Sequence, residues 1–166
     1  MIKGPIFTVF TAFKENGELN LKSTLDYLDF LLSSEAKVLY TMPYNSRFLQ
    51  LTIEEILKLN KEVISLVKSN KNSKIIVGGP VEISTQKEMD FAKQCFDFGA
   101  DYYASVFGEK YFSLDQVIQH YGSICSLGGN IVVHEQPLIS GYNSKQIHWP
   151  LELIKEVASM SRVSAF

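Results

Sequence analysis

The stretch of this 166-residue chain best suited to chemistry is Asn130-Ile131-Val132-Val133-His134-Glu135-Gln136-Pro137. An apolar β-forming run leads straight into an imidazole, a carboxylate, an amide and a proline. A histidine titrates close to neutral pH, so His134 is a candidate proton carrier. Position supports that role, because the mouth of a parallel α/β protein lies at the carboxyl ends of its strands. A buried strand followed by an inert polar loop is the competing reading. His134 and Glu135 are adjacent, so on a strand they point to opposite faces and only one can enter an interior. That spacing gives no support to a shared metal ion, and no metal site or cofactor is expected.

These residues must be positioned by the elements around them, and apolar runs followed by helical patterns recur along the chain. Residues 5–10 (PIFTVF) read as a first strand, followed by an Asn16-Gly17 turn and a helix from near Asn20 with Leu21, Leu25, Leu28 and Leu32 on one face. Residues 37–42 (KVLYTM) form the second strand. After the polar loop Pro43-Tyr44-Asn45-Ser46-Arg47, Thr52 and Glu55 stand at capping-box spacing with Leu51 and Ile56 as a staple. That helix carries Ile56, Leu59, Val63 and Leu66. Residues 74–77 (KIIV) end in Gly78-Gly79-Pro80. Thr85 and Glu88 then give a second capping-box pattern, with Met89, Ala92 and Phe96 as the apolar stripe and Gly99 as the stop. Residues 102–106 (YYASV) are the fourth strand, and Ser113 with Gln116 starts a helix that ends near Gly128-Gly129. The fifth strand is the opening stretch. Trp149-Pro150 begins a last helix, and residues 163–166 read as a sixth strand.

Strands therefore begin roughly every 30 residues, the period of a strand and its returning helix. Such alternation implies an α/β protein with a parallel sheet, either an open doubly wound sheet or part of a (β/α)8 TIM barrel. Length alone favours the open sheet, since a barrel takes about 250 residues. One domain spanning residues 1–166 is expected. No Gly-rich phosphate loop follows the first strand, where Thr11-Ala12-Phe13-Lys14 stands instead, which disfavours a dinucleotide or nucleoside-triphosphate fold. Gly78-Gly79 can cradle an anion, but a tight turn is the simpler reading.

With 16 Lys and Arg against 18 Asp and Glu, the net charge is −2, and the chain is 46% hydrophobic. The lysines are scattered, so no nucleic-acid partner is expected. No apolar run approaches the roughly 20 residues of a membrane span, and Met1-Ile2-Lys3-Gly4-Pro5 carries no signal-peptide pattern. Cys95 and Cys125 have no metal or redox spacing. They read as core thiols of a protein in a reducing cytoplasm.

Several of these segments, in order and spacing, resemble the dihydrodipicolinate synthase and N-acetylneuraminate lyase family of Schiff-base aldolases. Gly4-Pro5 through Thr11, the Asn16-Gly17 turn and the Leu21–Leu32 helix look like its first unit. Leu51-Thr52-Ile53-Glu54-Glu55 is similar to its LTxEE helix start, and Phe98-Gly99-Ala100-Asp101 to the approach to its fourth strand. Ile131 to Pro137 with Gly141 resembles its fifth strand and following Pro-x-x-x-Gly loop. The resemblance extends over the chain but over only about two-thirds of such a protein. It implies a (β/α)8 barrel of which residues 1–166 supply about the first five and a half units. It also implies a lyase or aldolase that binds pyruvate or a related 2-keto acid as an imine on a sixth-strand lysine. That nucleophile falls immediately after Phe166.

The family's proton-shuttling tyrosine aligns with His134, and Tyr44 is a candidate for the missing phenol. Its carboxylate-holding GTTGE segment aligns with Pro43-Tyr44-Asn45-Ser46-Arg47, making Asn45, Ser46 and Arg47 the substrate-binding candidates. A basic residue of the Pro-x-x-x-Gly loop is replaced by Ile139. Tyr111 stands in the strand-4 loop, from which a family tyrosine reaches into an adjacent subunit; packing a dimer contact is the alternative. Lys37 and Lys74 fall at the wrong ends of their strands, Lys110 sits beside Glu109 in a loop, and His120 and His148 receive no role. Homodimers or tetramers are implied by the resemblance. A barrel of the family that binds a ligand or partner without catalysis, and a complete open-sheet protein, are the alternatives. Five or six barrel strands alone leave two unpaired edges, so the 166-residue piece is expected to be insoluble or molten.

Overall fold

The computed structural model describes residues 2–42, 48–70, 72–81, 83–111, 113–135 and 149–166. Tyr44, Asn45, Ser46, Arg47, Ile139, Gly141 and His148 lie outside these described residues. Strands β1 (Ile6–Val9), β2 (Val38–Thr41), β3 (Lys74–Gly78), β4 (Tyr102–Val106), β5 (Ile131–His134) and β6 (Val163–Ala165) alternate with helices α1 (Leu21–Ser33), α2 (Ile53–Ser69), α3 (Thr85–Asp97), α4 (Leu114–Cys125) and α5 (Leu151–Ala158).

Short polar side chains set the helix starts by accepting from otherwise unpartnered backbone N–H groups. Asn20 accepts from the Ser23 N–H and Ser113 from the Gln116 N–H. The Thr52–Glu55 capping box forms in both directions. The second expected box does not. Ser84 caps α3 by accepting from the Lys87 N–H, while Thr85 is already helical and Glu88 turns inward to 2% exposure. Ser84 is one position earlier with the same capping chemistry, and sequence spacing cannot rank the two. The α3 stripe shifts with it: Phe91, Ala92 and Cys95 are buried, and Met89 and Phe96 only partly. Gly99 stops α3 at φ +100 and Gly128 follows α4 at φ +82, the left-handed region that glycine enters without steric cost.

All strand pairs are parallel and the sheet runs β1-β2-β3-β4-β5-β6 without reversal. A doubly wound sheet reverses its order at a switch point, so that alternative is overturned. Right-handed crossovers that always advance in one direction place every helix on the same face. The helix-covered face holds the larger apolar cluster, where Leu39, Val77, Tyr103 and Val133 meet Leu28, Val63, Phe91 and Ile124. Among the described residues no helix covers the opposite face, yet Val38, Ile76, Tyr102, Ala104 and Val132 are buried there too. A sheet can bury that face only by curling onto itself. The fold is α/β, the first six strands of a (β/α)8 barrel.

Close packing leaves no room for a side chain at Gly129. A Cβ at Gly129 would lie 2.2 Å from Phe96 Cζ and 2.4 Å from Cε1, and that ring is held 6.2 Å from Tyr103. Gly129→Ala is expected to destabilise the protein by about 1–3 kcal/mol, as overpacking does. A lowered urea midpoint with an unchanged slope is the measurement that checks it.

Candidate functional site: a tyrosine–histidine pair in the barrel interior

His134 is the last residue of β5 and stands in register with Val106 of β4. Alternation puts it on the same face as Val132, the inner one. Tyr40, on β2, belongs to that face as well and packs against the inner cluster. Two strands separate β2 from β5, a distance of about 14 Å across a flat sheet. Nevertheless the Tyr40 hydroxyl lies 3.2 Å from His134 Nδ1, with ring centroids 5.6 Å apart. Curvature of the sheet is what brings them together.

Burial raises the Tyr40 phenol far above its ordinary value and pulls the His134 imidazolium below 6.5. Both groups are therefore neutral near pH 7. A neutral pair can hold its hydrogen bond in either polarity. When Tyr40 donates to Nδ1, Nε2 carries the ring proton; when Nδ1–H donates to the phenol oxygen, Nε2 is bare and can receive a proton, which the imidazolium so formed can give back. Neither arrangement introduces a net charge, which suits a proton carrier in a low-dielectric interior.

Glu135 leads elsewhere: its carboxylate accepts the Trp149 backbone N–H. The two neighbours thus diverge as strand geometry requires. Among the described residues no group of three His, Cys, Asp or Glu side chains is placed to hold a metal ion. Tyr111 is partly buried and packs on the larger, helix-side cluster. Lys37 and Lys74 stand at the N-terminal ends of β2 and β3, where with Lys3 they line a cavity of about 240 Å³, at the end of the barrel opposite His134. Asp101 accepts from Lys74 at 3.3 Å.

Gly78 and Gly79 serve packing. A Cβ on Gly78 would press the Met42 carbonyl at 2.9 Å, and one on Gly79 would meet the Tyr103 hydroxyl at 1.9 Å. Close approach of neighbouring backbone and side chain accounts for both residues.

Sequence reasoning overlooked two residues, Tyr40 and His120. Tyr40 lies within Val38-Leu39-Tyr40-Thr41-Met42, a strand buried on both faces, where polarity does not alternate and no facing can be assigned. Counting by two from the strand start would have put it with Val38, but not said which set faces inward. His120, given no role, is 2% exposed on α4 and is hydrogen-bonded at both ring nitrogens.

No protein-family model matches the chain, and comparison with curated proteins returns no match. Solved structures match it over almost its whole length. A chloride-inhibited dihydrodipicolinate synthase from Acinetobacter baumannii, complexed with pyruvate, superposes with a TM-score of 0.85 at 20% identity, covering 99% of this chain and 55% of that one. CdNal from Clostridium difficile, in complex with mannosamine, gives 0.83 at 17% identity with the same coverage, 99% and 55%. YagE from E. coli K12, a prophage protein of the dihydrodipicolinic acid synthase family in complex with pyruvate, gives 0.78 at 18%, covering 92% and 49%. The chain has the fold of these proteins and spans about half the length of each. No helix among the described residues is long and apolar enough to cross a membrane.

Proposed function

We propose that the chain is the N-terminal part of a class I, Schiff-base-forming lyase or aldolase that acts on pyruvate or a related 2-keto acid. The observation that carries this reading is the neutral Tyr40–His134 hydrogen bond inside the barrel at the carboxyl end of β5. Pyruvate bound to proteins of the same fold supports the substrate class.

In this reading a lysine amine attacks the keto carbon and water leaves, giving an iminium ion. Electrons of the breaking C–C or C–H bond flow into that ion and form an enamine. His134 accepts the proton that departs and returns it to the enamine carbon, with Tyr40 holding the ring in whichever polarity the step needs. Asn45, Ser46, Arg47 and Tyr111 bind the substrate, and Tyr44 is the candidate for a second catalytic phenol. The lysine is the one expected immediately after Phe166. The enzyme is a cytoplasmic homodimer or homotetramer that needs no cofactor.

Borohydride reduction of the whole protein with pyruvate tests the reading. A lysine peptide heavier by one reduced keto acid, lost when pyruvate is omitted, is the expected result. Absence of an adduct with any 2-keto acid overturns it in favour of a non-catalytic barrel that binds a ligand or partner.

A further inference from the structure

A chain of polar groups runs between α3, β4 and α4, walled in by the larger apolar cluster. Glu88 and His120 are each 2% exposed and Ser105 is fully buried. Ser105 Oγ lies 2.7 Å from Glu88 Oε1 and 3.2 Å from His120 Nε2. His120 Nδ1 is 2.9 Å from Thr85 Oγ1, which is 2.7 Å from Glu109 Oε1. The His120 ring is fixed edge-on against Phe107 and Tyr121, with centroids at 5.2 and 4.8 Å.

Hydrogen-bond bookkeeping along this chain has two complete solutions that differ by one proton: Glu88 and His120 both neutral, or an ionised Glu88 opposite an imidazolium whose Nε2 lies 3.5 Å from Glu88 Oε2. Burial disfavours both charges and selects the neutral one. Glu109 is partly exposed. Burial pushes its carboxyl up, but the Thr85 N–H, the Thr85 hydroxyl and Gln116 outweigh that and hold it below the usual carboxylate range. An ionised Glu109 only accepts, so the Thr85 hydroxyl donates to it and must itself accept from His120 Nδ1–H. In the neutral ring Nε2 is bare and accepts from the Ser105 hydroxyl. Ser105 Oγ is left to accept from Glu88, which must carry a proton. Burial pushes the Glu88 carboxyl up to about 8, with the nearby Glu109 charge adding to it and the Ser105 hydrogen bond opposing. Burial likewise pulls His120 down to about 4. The other titratable groups facing Glu88, the Tyr103 and Tyr121 phenols, are held neutral by burial. Every donor therefore points outward, from Glu88 to Glu109.

The outer end of this chain is a loop at the barrel mouth. Val106, just before the loop, pairs with His134, and the next residue, Phe107, donates its N–H to the Tyr121 hydroxyl at 3.1 Å. Gln116 Nε2 donates both to Glu109 Oε2 at 3.2 Å and to the Lys110 carbonyl at 3.1 Å. We infer that Glu88, Ser105, His120 and Thr85 are positioning residues that act through Glu109 to fix the β4–α4 loop, with Lys110 and Tyr111, beside His134. Only the consequence for turnover rests on the function proposed above; the fixing of the loop does not.

Ionisation of Glu88 would turn the Ser105 hydroxyl toward the carboxylate and leave Nε2 without its donor. Glu88 has a raised value in the fold, so the ordered state is complete at lower pH and is lost as pH rises through about 8.

Hydrogen exchange of the residue 107–111 amides in the whole protein tests the inference. Glu109→Ala, a change at a partly exposed position, is expected to speed exchange there at least about tenfold. If the function above holds, it also raises KM for the keto acid more than it lowers kcat. Glu109→Gln keeps an acceptor for Thr85 and restores most of the protection. In the unsubstituted protein, protection corrected for intrinsic exchange falls between about pH 7 and about pH 9, and Glu88→Gln, which still donates to Ser105, abolishes that fall. Loop exchange unchanged by Glu109→Ala, or protection independent of pH over that interval, overturns the inference. A protein with no keto-acid adduct but with these exchange results refutes the proposed function and leaves the positioning role standing.

Discussion

Replacing His134 by asparagine is expected to lower kcat/KM for the keto acid by about 10²- to 10⁴-fold, the range over which a positioned acid–base group contributes. Asparagine retains some hydrogen bonding but cannot carry a proton through a catalytic cycle. Imine formation on the lysine should survive, so borohydride trapping separates loss of proton transfer from loss of the nucleophile. Tyr40→Phe keeps the ring, which packs on the inner cluster, and removes only the hydroxyl 3.2 Å from Nδ1. Its expected cost is about tenfold, because the imidazole remains but no longer has a partner on Nδ1. Introduced after His134→Asn, the same change should cost almost nothing, since the two groups act as one unit. The pH profile supplies an independent readout. Burial holds the His134 imidazolium below 6.5, so activity that needs the neutral ring is complete above that value and falls only in more acidic solution. An unchanged rate in His134→Asn, or equal Tyr40→Phe costs in both backgrounds, would refute the paired role.

Asn60→Ala is expected to cost about 2–4 kcal/mol of stability. Asn60 is fully buried on α2, where its neighbours in the helix face are Ile56, Leu59 and Val63. Its side-chain carbonyl accepts from the Thr41 hydroxyl at 3.0 Å, and its amide donates to the Gly78 carbonyl at 2.8 Å. One side chain thus ties α2 to the ends of β2 and β3. Alanine leaves a buried donor and a buried acceptor without partners in a site closed to water, and each such group costs about 1–3 kcal/mol. Thermal denaturation should show a fall in Tm on the order of 10 °C. Thr41→Val removes the stranded hydroxyl, and it should destabilise the Asn60→Ala protein less than the original one. Additive losses would show that the two side chains are not coupled. Because Thr41 follows Tyr40 directly, the same substitution is also expected to weaken the Tyr40–His134 contact.

Local features were legible because they depend on neighbours in sequence. The Thr52–Glu55 box, the left-handed Gly99 and the strand that ends in His134 all follow from spacing and backbone sterics. Thr85 and Glu88 have the same spacing as Thr52 and Glu55, yet one bonds to Glu109 and His120 and the other to Ser105. Ser84 was available to cap the helix, and polar partners on β4 and α4 were available to the two side chains released. No spacing rule contains that competition.

The residues by themselves determined a parallel α/β chain, the ends at which its strands present ionisable groups, and the place of His134 at the end of the fifth strand. Tertiary structure alone decided that the unbroken strand order curls into a barrel interior and that Tyr40 meets the imidazole. It also decided that His120 belongs to a buried proton-ordered chain. Sequence periodicity states that a residue alternates with its neighbours. Which alternate set faces the axis, and which side chains three strands apart then touch, is set by the curvature of the whole sheet.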